Sequence, residues 1–108
     1  MAFSSVHDVF SRMPEVFNPH AAQELDAVFQ FEIHGEGGGT WNVAVQEGTC
    51  SIEDGVHENP RVTITMSADD WLALVNRRLN GVQAFMTGKL KVRGDLMLAQ
   101  RIYDIFSF

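Results

Sequence analysis

Apolar side chains recur at every second position through much of the chain. Four segments before residue 68 and one near residue 90 show this alternation, and most are separated by glycines or by an Asn-Pro pair. A period of two is typical of strands that have one buried face and one solvated face. The pattern predicts five strands, at residues 27–34, 41–46, 50–53, 62–67 and 89–93.

Helical spacing of apolar residues occupies most of the remaining chain. Ser67 and Asp95 are predicted N-cap residues, and Asn80-Gly81 is predicted to end the helix that Ser67 begins. The five predicted helices span residues 5–13, 19–25, 67–79, 82–87 and 95–106. The chain is therefore expected to form a single α+β domain over residues 1–108, in which about five helices cover one face of a five-stranded, largely antiparallel sheet.

The last predicted helix carries more apolar side chains than one interface requires. Eight of the eleven positions from 96 to 106 are apolar or aromatic, whereas one buried stripe needs only about three or four in two turns. We therefore expect this helix to be covered on more than one side, by a ligand, a partner subunit or another helix.

Residues that could carry catalysis or hold a metal ion form no recognisable motif. Cys50 falls on the inward face of its strand, where a thiol usually acts as an inert small apolar group. The spacing of a preformed metal site is absent from the candidate ligands, which are His7, His20, His34, His57 and Cys50. We predict no enzymatic activity, no metal ion and no cofactor.

Charge is divided unevenly along the chain. Residues 1–60 contain ten acidic residues and one basic residue, whereas residues 61–108 contain seven basic and four acidic residues. The net charge of −6 argues against nucleic-acid binding. The basic half is either an ordinary solvated surface or a rim that attracts anionic lipid head groups or an acidic ligand. The single cysteine and the lack of a visible secretory signal predict a cytoplasmic protein.

A set of apolar residues on the last three predicted helices is the strongest candidate for a binding site. Each of them, taken singly, is more readily explained as part of the core. The excess of apolar residues on the last helix and the adaptable side chains of Met66, Met86 and Met97 favour a cavity for the group. Its members are Trp71, Leu74, Val75, Phe85, Met86, Leu96, Met97, Ile102, Tyr103 and Phe106.

The chain resembles the sterol carrier protein family over roughly residues 15–106. The most specific match is the segment from Ala84 to Asp95, which reads AFMTGKLKVRGD and is followed by Leu98-Ala99. Further matches are Phe31-Glu32-Ile33, Trp41-Asn42-Val43 and the run from Val62 to Ser67 that leads to Asp70-Trp71.

This resemblance implies an apolar tunnel between a five-stranded sheet and its helices. It also implies binding of sterols, fatty acids, acyl-CoA or phospholipids, without a cofactor and without catalysis. Because the tunnel would lie against the sheet, Phe31 and Val43 complete the predicted lipid-binding residues. The peroxisomal tail signal of many members of the family is absent, so a peroxisomal role is not expected.

Two functions follow as hypotheses. The first is non-catalytic binding and transfer of apolar lipids, with transient contact at a membrane surface. The alternative is a protein-interaction or dimerisation module that uses the same apolar helices, as a homodimer and with no lipid ligand.

Overall fold

A computed structural model describes residues 2–108 of the chain. The five strands are β1 (Ala27–His34), β2 (Gly39–Gln46), β3 (Thr49–Asp54), β4 (Val62–Ser67) and β5 (Lys91–Gly94). The five α-helices are α1 (Val6–Arg12), α2 (Ala68–Val75), α3 (Gly81–Met86), α4 (Leu96–Gln100) and α5 (Ile102–Ile105), and a 3-10 helix (Met13–Val16) follows α1. The predicted α+β class, with five strands and about five helices, is confirmed.

The strands form one sheet in the order β3-β2-β1-β4-β5. Three of the four neighbouring pairs are antiparallel, and the central strand β1 pairs with β4 in parallel. The sheet is therefore mixed, although it is largely antiparallel as predicted. Because β2 and β3 lie on one side of β1 while β4 and β5 lie on the other, the two halves of the sequence occupy opposite ends of the sheet.

The alternation of the strands decides which face of the sheet is buried. Register places Phe31 opposite both Trp41 and Ile64, so these three side chains project to the same face. Helices α1 and α2 cover this face: the ring of Phe10 stacks 4.2 Å from Trp41, and Trp71 lies 5.1 Å from Phe31. Such aromatic pairs add to the free energy gained by burying apolar area.

The predicted helix at residues 19–25 is wrong. Residues 19–24 form turns, in which Ala22 N donates to Pro19 O and Leu25 N donates to Ala22 O. Glu24 adopts a left-handed conformation with φ of 64°, which a continuing helix does not allow. The turns still bury Ala22 and Leu25, and this burial explains the apolar spacing in the sequence.

The boundary between α2 and α3 also differs from the prediction. Helix α2 begins as expected, with Ser67 Oγ accepting a hydrogen bond from Asp70 N at 3.1 Å, but it ends at Val75. Asn80 does not end this helix. It is the N-cap of α3, where its Oδ1 accepts hydrogen bonds from Val82 N and Gln83 N.

The predicted continuous helix from 95 to 106 is divided at Arg101 into α4 and α5. Asp95 is the N-cap, as predicted, and its Oδ1 accepts a hydrogen bond from Leu98 N at 3.0 Å. Arg101 donates from Nη2 to Ala21 O at 2.9 Å. The division separates two apolar groups: Leu96 and Met97 remain exposed on α4, whereas α5 turns its isoleucines into the core.

Candidate functional site

An open cavity lies between the basic half of the sheet and the helices that follow it. Its volume is about 490 Å³, which is within the range of roughly 300–1,000 Å³ found for ligand pockets. Strands β4 and β5 supply one wall, and residues from α2 to α5 supply the rest. The lining residues are Ile64, Trp71, Leu74, Asn80, Gly81, Val82, Phe85, Leu90, Val92, Leu96, Ala99, Gln100, Ile102 and Tyr103.

The walls of this apolar cavity follow from strand register and helical spacing. Ile64 pairs with Val92 across β4 and β5, so both side chains reach the same side of the sheet. Trp71 and Leu74 are three residues apart on α2 and therefore share one helix face. Gly81, at the start of α3, leaves space that a side chain would otherwise fill.

Tyr103 joins two walls of the cavity. Its Oη donates a hydrogen bond to Leu74 O at 2.9 Å, which connects α5 to the end of α2. Partial burial raises the pKa of the Tyr103 hydroxyl above its usual value. The nearby Arg77 guanidinium opposes this effect but is the smaller of the two. The hydroxyl therefore remains a protonated donor at neutral pH. Trp71 also lines the cavity, and its Nε1 is buried without a hydrogen-bond partner among residues 2–108.

The twelve residues predicted to bind lipid fall into three groups in the structure. Six line the cavity: Trp71, Leu74, Phe85, Leu96, Ile102 and Tyr103. Four lie in the core with no exposed surface: Phe31, Val43, Val75 and Phe106. Met86 and Met97 are 78% and 77% exposed on α3 and α4 and do not line the cavity. A role in lipid binding stays a prediction for the whole set.

Eight lining residues were absent from the predicted site. For two of them, Leu90 and Val92, the signal was present in the sequence, because strand alternation directs both inward. Ile64 carried the same signal on β4. The sequence contained no such signal for the other five, because they reach the cavity only through the positions of α3 and α4 in the fold. These are Asn80, Gly81, Val82, Ala99 and Gln100.

Exposed apolar side chains are concentrated on the two helices that border the cavity. Six large apolar side chains are exposed among the described residues, and five of these lie on α3 and α4. We call these five the rim; they are Val82, Phe85, Met86, Leu96 and Met97. Exposed apolar groups collected in one place mark interaction sites more often than scattered ones do.

A nucleophilic thiol, a metal site and a membrane-spanning helix each have little support among residues 2–108. Burial raises the pKa of the Cys50 thiol to about 11, so it is protonated at neutral pH and a poor nucleophile. No group of three or more His, Cys, Asp or Glu side chains within residues 2–108 is placed to hold a metal ion. None of the helices in this range has the length and apolarity needed to cross a bilayer.

Known proteins resemble this chain in sequence and in fold. Mouse hydroxysteroid dehydrogenase-like protein 2 is 30% identical over 106 residues, which is 97% of this chain but 22% of that protein. Human sterol carrier protein 2 is 33% identical over 86 residues, which is 77% of this chain and 16% of that protein. The chain thus spans about a fifth of the length of these relatives.

A solved structure matches along almost its full length. Palmitated SCP2L2 from Aedes aegypti, determined by solution NMR, superposes with a TM-score of 0.77 and 26% identity, covering 94% of each chain. The family model described as "SCP-2 sterol transfer family" matches residues 10–107. The chain therefore belongs to the SCP-2 sterol transfer family, whose domains in general bind and transfer lipids without catalysis.

Proposed function

We propose that this chain binds one long-chain acyl lipid in the apolar cavity. The observation that carries the proposal is the cavity itself, about 490 Å³ in volume and lined mainly by aliphatic and aromatic side chains. At about 0.8 kcal/mol per buried methylene, a sixteen-carbon chain would gain on the order of 10 kcal/mol before ordering costs are subtracted. A ligand of this kind needs neither a cofactor nor a reactive side chain.

An acyl chain is favoured over a rigid ring system by a relative of known structure. The Aedes aegypti protein is described as palmitated, and its fold superposes on this chain over 94% of its length. Two of the lining side chains, Phe85 and Leu96, are also 45% and 43% exposed, so an acyl chain in the cavity would cover apolar surface that now faces water.

The same proposal extends to transfer at a membrane surface. A lipid that leaves the cavity for a bilayer would otherwise carry its chain through water, at a cost of about 0.8 kcal/mol per exposed methylene. The rim offers apolar contact beside the mouth, and residues 61–108 carry an excess of basic side chains. We infer that the rim rests on an anionic bilayer while the ligand enters or leaves.

Gly81→Leu tests binding in the cavity. A Cβ at residue 81 would lie 3.7 Å from Leu74 Cδ1 and 3.9 Å from Tyr103 Cε2, which are ordinary contact distances. The added side chain therefore fits at its base and fills the cavity beyond. We expect the affinity for palmitate, measured by calorimetric titration, to fall at least tenfold, while thermal stability is kept or raised because glycine is a poor helix former.

Thr87→Leu is the matched control, because Thr87 is exposed at the end of the same helix and lines neither this cavity nor the pocket beside it. It should bind palmitate as the unmodified chain does. Equal binding by both variants, or a failure of the unmodified chain to bind palmitate, contradicts the proposal.

A further inference from the structure

A second pocket adjoins the apolar cavity and has the opposite character. It is an open surface pocket of about 430 Å³, lined by Arg77, Arg78, Asn80 and Gln83 together with three further residues. No carboxylate side chain contributes to this lining. In a chain whose net charge is −6, this arginine pocket concentrates positive charge and hydrogen-bond donors at one place.

The two arginines are held differently. Arg77 stacks its guanidinium 4.6 Å from the centre of the Tyr103 ring and donates from Nη2 to Phe108 O at 3.4 Å. The ion pairs found within residues 2–108 involve other arginines, and Arg78 takes part in none of them. Arg77 is therefore partly fixed to the protein, whereas Arg78 retains its donors for an external anion.

The end of α2 brings both arginines to this position. Arg77 N donates to Leu74 O and Arg78 N donates to Ala73 O, which is the hydrogen-bond pattern of a Schellman motif. Glycine usually occupies the left-handed position of this motif, but here Arg77 does, with φ of 64°. The turn directs the chain past Tyr103 before α3 begins.

The arginine pocket and the apolar cavity share a boundary. Asn80, Gly81 and Tyr103 line both. Because residue 81 is glycine, no side chain at this shared position separates the two pockets, and a Cβ there would have only Leu74 Cδ1 and Tyr103 Cε2 within 4 Å. A molecule with an apolar chain and a polar head could therefore occupy both pockets at once.

We propose that the arginine pocket binds the anionic head group of the lipid whose chain fills the cavity, with Arg78 as the principal ligand and Arg77 and Asn80 beside it. This inference rests on the proposed function and narrows it, because it selects lipids with a carboxylate or a phosphate over neutral ones. Guanidinium groups bind both anions through charge-assisted hydrogen bonds.

Three probes that each contain twelve carbon atoms test this selectivity: laurate, dodecyl phosphate and dodecanol. Each is added to the chain below its aggregation limit, and displacement of a fluorescent apolar dye reports its affinity. We expect the two anions to bind at least tenfold more tightly than the alcohol. In Arg78→Gln, the affinities for the anions should fall towards that of dodecanol, whose own affinity should not change. The stronger of the two anions identifies the head-group chemistry.

Arg93→Gln is the matched control for the loss of one positive charge. Arg93 projects from β5 on the face opposite Val92, its side chain is 78% exposed, and its nearest contact to Glu32 is 3.9 Å. It should leave all three affinities unchanged. If dodecanol binds as tightly as the anions, or if both variants weaken the anions equally, the head-group assignment is wrong although lipid binding stands. If no probe binds, the proposed function itself fails.

Discussion

Residues with the same side chain occupy opposite environments in this protein. Phe31 has no exposed surface and lies 5.4 Å from the Phe10 ring, whereas Phe85 is 45% exposed at the mouth of the cavity. The sequence shows that both are apolar and which strand or helix carries them. It does not show how deeply each side chain is buried, because burial depends on which elements pack against that position. For this reason the predicted site combined core and cavity residues.

Truncation of these two phenylalanines should separate stability from binding. Phe31→Ala leaves a cavity beside Trp71 and should lower the free energy of unfolding by about 3–5 kcal/mol. Phe85→Ala should lower it by less than about 1 kcal/mol, since much of that ring is already exposed, but should weaken palmitate binding. Urea unfolding and calorimetric titration measure the two effects. Equal losses of stability would contradict the assignment of Phe85 to the cavity mouth.

Secondary-structure elements were predictable where local signals determine them. Alternation predicted every strand, and the N-caps Ser67 and Asp95 were identified from their spacing. Apart from the helix wrongly predicted at residues 19–25, the errors lie at helix ends, where distant contacts contribute. The division between α4 and α5 occurs where Arg101 bonds to Ala21 O, eighty residues away in the chain. The spacing of apolar residues within one helix carries no information about so distant a hydrogen-bond partner.

The short strand β5 depends on a glycine at its end. Gly94 pairs with Val62 and has φ of 103°, and a Cβ there would lie 2.5 Å from Arg61 O. Gly55 has a similar φ of 106°, but a Cβ there would meet nothing within 4 Å. The two positions therefore share the conformational requirement and differ in the space available.

Alanine substitutions at Gly55 and Gly94 should lower the free energy of unfolding by different amounts. Gly55→Ala should lower the free energy of unfolding by about 1–2 kcal/mol through its conformation alone. Gly94→Ala adds a clash with backbone, so we expect at least about 1 kcal/mol more, together with weaker lipid binding because β5 forms a wall of the cavity. Chemical denaturation of both variants measures the difference. Equal destabilisation would show that the backbone near Arg61 moves freely.

In the folded molecule, the acidic half and the basic half of the sequence contribute strands to opposite ends of the sheet. The sheet order places β2 and β3, from the acidic half of the chain, at one end and β4 and β5, from the basic half, at the other. The cavity, the rim and the arginine pocket all belong to the basic end. This arrangement was not predictable from charge counts alone, because it depends on the parallel pairing of β1 with β4.

Such a charge distribution should orient the molecule at an anionic bilayer. We expect lipid transfer to accelerate with the concentration of phosphatidylserine-containing vesicles, to be slower with pure phosphatidylcholine vesicles, and to slow as salt is added. Vesicle-to-vesicle transfer of a fluorescent fatty acid measures these rates. If transfer is independent of vesicle concentration, the lipid passes through water and the membrane proposal is wrong.

Acidic substitutions on the rim test whether the rim is the surface that contacts the bilayer during lipid transfer. The double variant Met86→Asp, Met97→Asp should transfer at least tenfold more slowly, because two charged groups would have to enter the bilayer interface. Val56→Asp is its control: Val56 is 74% exposed but precedes His57, whose N–H donates to Gln30 on the sheet face away from the cavity. It should transfer normally. A different outcome identifies the alternative function: if light scattering shows a dimer that the rim variant abolishes, and transfer ignores vesicle composition, the rim is an interface between protein subunits.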